Sequence, residues 1–421
     1  IEQFYTRIQT KHIMTQFEKK AADEDVVPGR YQVEEAAEST YIKLMNNLLE
    51  RCILKEASDL HIEPFEQGAR VRYRIDGKLR KITEIKKEML NSMTRCIKIS
   101  AGLDIAEKRL PQDGRMYQYV NGQKVDLRVS ILPTIYGEKT VIRFIYRSHK
   151  GFNLSEIGFN AEDYPKVVQL LQNPHGIILL TGPTGSGKST TLAAALKWLN
   201  HESINIITVE DPVENVIEGI NQVAVNPKVG LSFGSVLRAI LRQDPDVIMI
   251  GEMRDEETAR IAIRAAVTGH LVLSTLHTND AISTIPRLID MGIEDYMVGA
   301  AVKGVISQRL MRKLCSVCRK VHYVTSAEAL IYQLPEGLKV YEPVGCKACH
   351  QIGYKGRFAI HEVLVVSPKL QEMIAKGKIT ADVIKTVAEE EGMDTLWQNA
   401  YEHVLRGDTS MEELLRVTYK G

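Results

Sequence analysis

The sequence predicts an α/β protein whose larger part is a mostly parallel sheet covered by helices, with a smaller α+β domain before it and further helices at the end. Two patterns carry this expectation. From about residue 154, short apolar runs at 177–181, 204–209, 247–250 and 271–275 alternate with helix-period segments, as parallel strands joined by crossover helices do. Before that, stretches such as Arg70-Val71-Arg72-Tyr73-Arg74-Ile75 alternate strictly between charged and apolar residues, as half-buried strands do. At 421 residues the chain has room for two or three domains, each with its own core. Its 54 Lys+Arg against 53 Asp+Glu leave a net charge of +1, which gives none of the polycationic field that would favour nucleic acid as a partner. No apolar run reaches the roughly 18 residues needed to cross a bilayer. No leader pattern opens the chain, and because its first residue is Ile1 rather than Met, an upstream part is expected.

In order along the chain, residues 1–37 are polar and charged, show no packed pattern beyond a short helix, and read as a linker from that missing upstream domain. From Tyr41 to Leu54, Ile42, Met45, Leu48, Leu49 and Ile53 recur at helical spacing and open an α+β domain over 38–147. Arg70, Arg72 and Arg74 share one face of a strand that ends in an Asp76-Gly77 turn; such a face is also what a solvated strand edge requires. A turn at 109–115 contains Arg115, and alternating strands follow at 125–130, containing Arg128, and at 140–146. Residues 148–153 read as a hinge into the second domain, 154–421.

In that domain the apolar run 177–180 leads into Gly182-Pro183-Thr184-Gly185-Ser186-Gly187-Lys188-Ser189, followed by Thr190 and a helix to about Leu199. This is the G-x-x-x-x-G-K-[ST] phosphate loop. Glycines let backbone N–H groups close around phosphates, Lys188 brings a cation to the β- and γ-phosphates, and Ser189 offers a hydroxyl to Mg²⁺. The helix beyond turns its positive end to the same anion. Two further runs end in carboxylates, 206–209 in Glu210 and 247–250 in Gly251-Glu252. A carboxylate there can hold Mg²⁺ or orient the water that attacks a phosphoryl group. Gly251 stands where an aspartate is usual, which leaves Glu252, alone or with Glu210, to do the work. Asp255 and Glu256 read equally as helix caps. His277 follows the run 271–275 where a γ-phosphate sensor would sit, whereas His270 precedes it and reads as structural as readily as functional.

Of six cysteines, Cys315, Cys318, Cys346 and Cys349 form two C-x-x-C pairs, 27 residues apart. Two thiol pairs are what a tetrahedral four-sulfur zinc site requires. Cys346 to His350 also fits the c-type haem pattern, and a redox dithiol is a third reading. Haem would need an exported protein, against the cytosolic setting of an ATP-using neighbour, and would leave the first pair unexplained. After this segment, about 311–360, the chain is assigned to C-terminal helices over about 361–421, with the helical pattern itself running from about Pro368 to Tyr419.

From about residue 40 onward the chain resembles the type II secretion and type IV pilus assembly ATPases, a branch of the RecA-like hexameric ATPases, most of all the pilus extension motor. The residues that carry the likeness are 182–189 as the Walker A loop, 208–214 as the Asp box, 244–255 as an atypical Walker B, 269–280 as the His box, and the four cysteines. Residues 58–64, Ser-Asp-Leu-His-Ile-Glu-Pro, resemble the same family's second N-terminal domain. The resemblance implies an ATPase with a RecA-like domain, with ATP, Mg²⁺ (on Ser189 and Glu252) and Zn²⁺ as ligands. It implies a homohexamer, cytoplasmic and peripheral to the inner membrane, that drives filament assembly through a platform protein and touches the membrane only indirectly. By motif position it marks Arg115 and Arg128 as fingers reaching a neighbour's nucleotide, with Arg70, Arg72 and Arg74 as weaker candidates. The secretion ATPase is the nearest alternative, and a ring translocase on nucleic acid or a scaffold with a dead site are alternatives of other kinds.

Overall fold

The computed structural model describes residues 30–120, 123–146, 153–332, 334–377 and 379–418, and the chain divides into two compact units, Ile1–Arg147 and Ser148–Gly421. The expected linker lies mostly outside the described residues, as does most of the expected hinge. Where the linker is described it is helix: α1 spans Arg30–Leu54 and so begins well before residue 37. The reason is local. Past Pro28-Gly29, the run Glu34-Glu35-Ala36-Ala37-Glu38 consists of strong helix formers with no breaker.

The first unit continues with β1 (Asp59–Phe65), β2 (Gly68–Ile75), β3 (Lys78–Lys86), α2 (Lys87–Ser100), β4 (Gln112–Val120), β5 (Gln123–Thr134) and β6 (Gly137–Ile145). The six strands form one sheet in the order β3-β2-β1-β6-β5-β4, every pairing antiparallel. Strand alternation sends Leu60, Ile62, Leu127, Val129 and Ile142 to one face, where they pack with Leu44, Leu48 and Leu49 of α1 and Leu90, Met93 and Ile97 of α2. Most charged residues of the same strands take the opposite face; Glu138 is on the helix side, where it pairs with the buried Lys98 of α2 at 2.7 Å.

The second unit carries α3 (Asp163–Leu171), β7 (Gly176–Thr181), α4 (Lys188–Leu199), β8 (Ile206–Glu210), β9 (Asn221–Ala224), α5 (Phe233–Ile240), β10 (Val247–Ile250), α6 (Glu256–Val267), β11 (Leu271–Leu276), α7 (Thr284–Asp290) and α8 (Asp295–Ala301). It continues with β12 (Val302–Leu314), β13 (Lys320–Tyr323), α9 (Ser326–Tyr332), β14 (Lys339–Glu342), β15 (Tyr354–Val365), α10 (Pro368–Ala375), α11 (Ala381–Glu390), α12 (Leu396–Leu405) and α13 (Met411–Thr418). Seven strands form a sheet in the order β15-β12-β7-β11-β10-β8-β9, parallel throughout except for β15. Alternate residues of the central strands serve two cores. Leu179, Ile248 and Val272 pack on one side with Ala262 and Ala266 of α6, and Ile178, Leu180, Met249 and Leu273 on the other with Leu192 and Leu196 of α4. Burial on both faces is why these strands read as continuous apolar runs.

One expectation is corrected here. The region from 361 does not open with helices, because residues 354–365 form β15, which pairs with β12 from Gly304↔Val365 to Leu314↔Tyr354. The run Ile360, Val363, Leu364 and Val365 is too short and β-branched for a helix of its own. Helices begin at Pro368. The cysteine-bearing segment, with the β13–β14 ribbon, is thus an insertion between two sheet strands.

The last helix is tied to the sheet by a buried ion pair. Arg312 on β12 is 2% exposed and donates from Nε (2.8 Å) and Nη2 (2.6 Å) to Glu413 of α13, while its backbone N–H donates to the other carboxylate oxygen at 2.9 Å. The guanidinium also lies over the Tyr354 ring, 3.9 Å from the centroid. Burial pushes the Glu413 carboxyl up, but Arg416 and Arg312 outweigh it and hold the group at about 2. Glu413→Ala strands a buried guanidinium and is expected to destabilise the second unit by about 3–5 kcal/mol in denaturant unfolding. Because the folded value is depressed, the pair's contribution is in force above an unfolded glutamate's value of roughly 4.3 and is lost as pH falls toward about 2. The wild-type protein, but not the variant, should lose that increment in acid titrations of stability.

Candidate functional site

The parallel register brings the chemistry-bearing ends of four strands to one edge of the sheet. Thr181 of β7 pairs with Leu276 of β11, Ile250 of β10 with Ser274 of β11, and Ile250 with Val209 of β8. The loop after β7 is therefore level with Glu210, with Gly251-Glu252 and with His277.

The loop has the backbone its glycines predict. Gly182, Gly185 and Gly187 have φ of 136°, 79° and 91°, values that side-chain-bearing residues rarely adopt. Gly187 caps α4, whose first N–H groups have no partner within the helix and point out of its start. Lys188 donates from Nζ to the carbonyls of Gly182 (2.7 Å) and Pro183 (3.2 Å), which fixes the ammonium over the loop. Burial pushes this ammonium down from its ordinary value, and Glu252 opposes that shift. Pro183, Thr184, Gly185 and Ser189 are exposed, Thr190 is half-buried, and Ser186 is buried. Ser186 Oγ and Thr181 Oγ1 are buried with no hydrogen-bond partner, polar capacity at the base of the loop that fits an oxygen-rich ligand.

Glu252 is held by its neighbours. Gly251 donates to the Val209 carbonyl (2.8 Å), its own carbonyl accepts from Thr275 Oγ1 (2.7 Å), and Met253 donates to the Thr275 carbonyl (3.1 Å) while its side chain is buried in the core. The carboxylate between them meets the Arg254 guanidinium and, at 3.5 Å, His277 Nε2. Burial pushes the Glu252 carboxyl up, but Arg254 and then His277 outweigh it and hold it ionised, below its usual range. Arg254 also lies 3.8 Å from Asp211. An ionised carboxylate is the kind of oxygen ligand that Mg²⁺ takes. The glycine at 251 also has a physical reason, since a Cβ there would sit 3.3 Å from Glu210 Cα and 3.4 Å from the Val209 carbonyl. Glu210 is buried and accepts from Thr208 Oγ1 (2.7 Å) and Gln222 Nε2 (2.9 Å).

The loop, Glu210, Glu252 and His277 thus lie along one edge. His270 does not, because it precedes β11 at the opposite end of the sheet, with Nδ1 3.0 Å from the Ala265 carbonyl. Asp255 caps α6 by accepting from Thr258 N–H. The sequence reading missed Arg254, Thr275 and Gln308. Gln308 reaches the loop from β12, and its only sequence signal is a polar Ser307-Gln308-Arg309 inside an apolar strand.

In the first unit, Arg115 stands directly across from Arg128, Arg128 from Arg143, Arg143 from Asp59, and Asp59 from Arg74, one row across five strands on the sheet's open face. Arg143 and Arg74 pair with Asp59 at 3.0 and 3.4 Å, and Arg72 with Glu63 at 2.8 Å. Arg72 and Arg74 are therefore committed to their own sheet. Among the described residues no ion pair or hydrogen bond engages Arg115 or Arg128, and like charges directly opposite destabilise a sheet unless an anion offsets them.

The four cysteines converge. Sulfur separations are 3.9 Å for Cys315–Cys346, 3.7 Å for Cys318–Cys349 and 3.7 Å for Cys346–Cys349, far beyond a disulfide. A regular tetrahedron with metal–sulfur bonds of about 2.3 Å has edges of about 3.8 Å, so the donor set fits zinc. Backbone N–H groups of Gly345, Cys346 and Gly353 donate to Cys318 and Cys349 sulfurs at 3.2–3.3 Å, the outer support that thiolates need.

The model of the Type II/IV secretion system protein family matches residues 34–416. The chain belongs to this family. It is 45% identical over 423 residues to the type IV pilus assembly ATPase PilB of Thermus thermophilus, covering 99% of this chain and 47% of that protein. It is also 45% identical over 411 residues to the putative type II secretion system protein E of Escherichia coli, covering 97% and 82%. The chain thus spans about half the length of one relative and most of the other. The pilus retraction motor PilT with bound ADP superposes with a TM-score of 0.60 at 28% identity over 89% of this chain and 97% of that one. Legionella pneumophila DotB does so with 0.65 at 22% identity over 89% and 94%, a likeness of fold. The RecA-like class of the second unit follows, and no described helix is long and apolar enough to cross a membrane. Metal analysis of the purified protein is expected to find about one zinc per chain, with Cys349→Ser lowering both occupancy and thermal stability; a folded, zinc-free protein would refute the site.

Proposed function

We propose that the chain is the ATPase motor of a type IV pilus assembly system: a cytoplasmic homohexamer at the inner membrane that hydrolyses ATP and drives an inner-membrane platform protein. The observation that carries the reading is the single edge on which the phosphate loop, Glu210, Glu252 and His277 meet. Residues 182–190 bind the phosphates, with Lys188 on the β- and γ-oxygens. Mg²⁺ on Ser189 and Glu252 would supply charge neutralisation at the transferring group. Glu252, held ionised, and Glu210 orient the attacking water, and His277 senses the γ-phosphate. Arg115 and Arg128, unpaired and facing each other, reach the nucleotide of a neighbouring subunit, where their charge stabilises the transition state.

The type II secretion ATPase is the second reading, favoured by relatives of that name at the same identity; the chemistry is common to both. A nucleic-acid translocase finds no support in a net charge of +1, and salt-sensitive single-stranded DNA binding with stimulated hydrolysis would overturn the motor reading.

Lys188→Ala and Glu252→Ala are each expected to bring ATP turnover down to background, and wild-type rates in either would sink the site assignment. Arg115→Ala subunits mixed with Lys188→Ala subunits should recover part of the activity that each lacks alone, because each mixed interface can combine an intact loop with an intact arginine. No recovery would remove Arg115 from its role in trans.

A further inference from the structure

β12 outruns β7. Their last pair is Ser307↔Thr181, and the next residue, Gln308, lies beside the phosphate loop rather than beside a strand. Its side chain is 2% exposed, and both ends of its amide are used. Nε2 donates to the carbonyl of Ser186 inside the loop at 2.8 Å, and Oε1 accepts from Thr191 Oγ1, one turn into α4, at 2.6 Å. The backbone of the same residue closes on the loop's first glycine, since a Cβ on Gly182 would lie 2.4 Å from the Gln308 carbonyl oxygen. At the last glycine, a Cβ on Gly187 would lie 2.8 Å from Gln308 Nε2. One residue therefore meets the loop's start, its middle and the first turn of the helix beyond it.

The chemistry of the contact is specific. Ser186 offers a carbonyl, which needs a donor, and Thr191 offers a hydroxyl, which here needs an acceptor; a primary amide of this length supplies both in a fixed plane. A glutamate in its place would set a carboxylate against the Ser186 carbonyl, and an apolar residue would leave that carbonyl buried without the amide donor and Thr191 Oγ1 with only its long bond, 3.4 Å, to the Gly187 carbonyl. The post that carries Gln308 is stiff, because β12 is paired on both sides at Ser307 and is anchored five residues further on by the buried Arg312–Glu413 pair.

We propose that Gln308 is a positioning residue for phosphate binding: it touches no phosphate itself but, from β12, holds Ser186 and the start of α4 so that the loop's N–H groups converge on the nucleotide. The inference rests on the reading of residues 182–189 as the ATP site. A loop of three left-handed glycines has many shapes open to it, and an external brace removes that freedom before the ligand arrives, which is the preorganisation that tight binding requires.

The test is equilibrium binding of a fluorescent ATP analogue to the whole chain, with turnover kinetics alongside. Gln308→Leu and Gln308→Glu should each weaken binding about 10- to 100-fold, the effect of leaving buried polar groups unpaired, with KM rising more than kcat falls. Thr191→Val, which removes only the hydroxyl, should weaken it less, and the double variant Gln308→Leu/Thr191→Val should be no worse than Gln308→Leu, because both remove one shared bond. Wild-type affinity in folded Gln308→Leu, or effects of the two substitutions that simply multiply, would overturn the proposal. If Gln308→Leu does not fold, Thr191→Val alone decides, and unaltered affinity in it counts against the brace. Lys188→Ala is the control: if it too binds normally, the ATP-site reading fails, whereas loss of binding in Lys188→Ala with none in the Gln308 variants sinks this inference alone.

Discussion

The parallel register of β7, β11, β10 and β8 is the constraint on which the rest of the second unit depends. Each of these strands is buried on both faces, so a slip of one residue would exchange the two cores, setting Leu179 and Val272 where Leu180 and Leu273 now pack. The same register sets the strand ends level. Glu210, Glu252 and His277 owe their proximity to the loop to the apolar pairing behind them rather than to any attraction among themselves. The ion pairs at the edge then adjust what the sheet has already placed: Arg254 and His277 keep Glu252 ionised despite its partial burial.

The first unit solves a different problem. Its sheet is closed on one face by α1 and α2 and presents arginines on the other, and three of them, Arg115, Arg128 and Arg143, stand in adjacent register. Asp59 offsets Arg143 and Arg74. Among the described residues nothing offsets Arg115 and Arg128 in the same way, which leaves the pair open to an anion from outside the unit. Under the proposed function, that anion is a phosphate of the neighbouring subunit, and activity becomes a property of the ring.

Around the tetracysteine cluster, the insertion adds Val324, Leu334 and Val340 to a small apolar core and also encloses groups that are costly to bury singly. The spacing of the sulfurs and the backbone donors to them satisfy groups inside the insertion, and the Arg312–Glu413 pair does the same beside it, between β12 and α13. β12 runs between this region and the loop, so the strand that leads directly into Cys315 carries Gln308 at its middle.

By itself the sequence determined the two kinds of sheet, the phosphate loop, the carboxylates and His277 at strand ends, and the thiol pairs, because each is written in a local pattern: a period, a glycine spacing, or a residue directly after an apolar run. It misjudged the start of α1, whose polar helix formers carry no apolar period, and the strand β15, which the expected C-terminal helices overran. Only the tertiary structure decided that Gln308, 122 residues from Ser186, bonds to the loop, that Arg254 and Thr275 hold Glu252, and that Arg115 and Arg128 face each other with no partner among the described residues while Arg72 and Arg74 pair with carboxylates. Those facts are matters of which strand lies beside which, and strand order is set by long-range packing that no local pattern records.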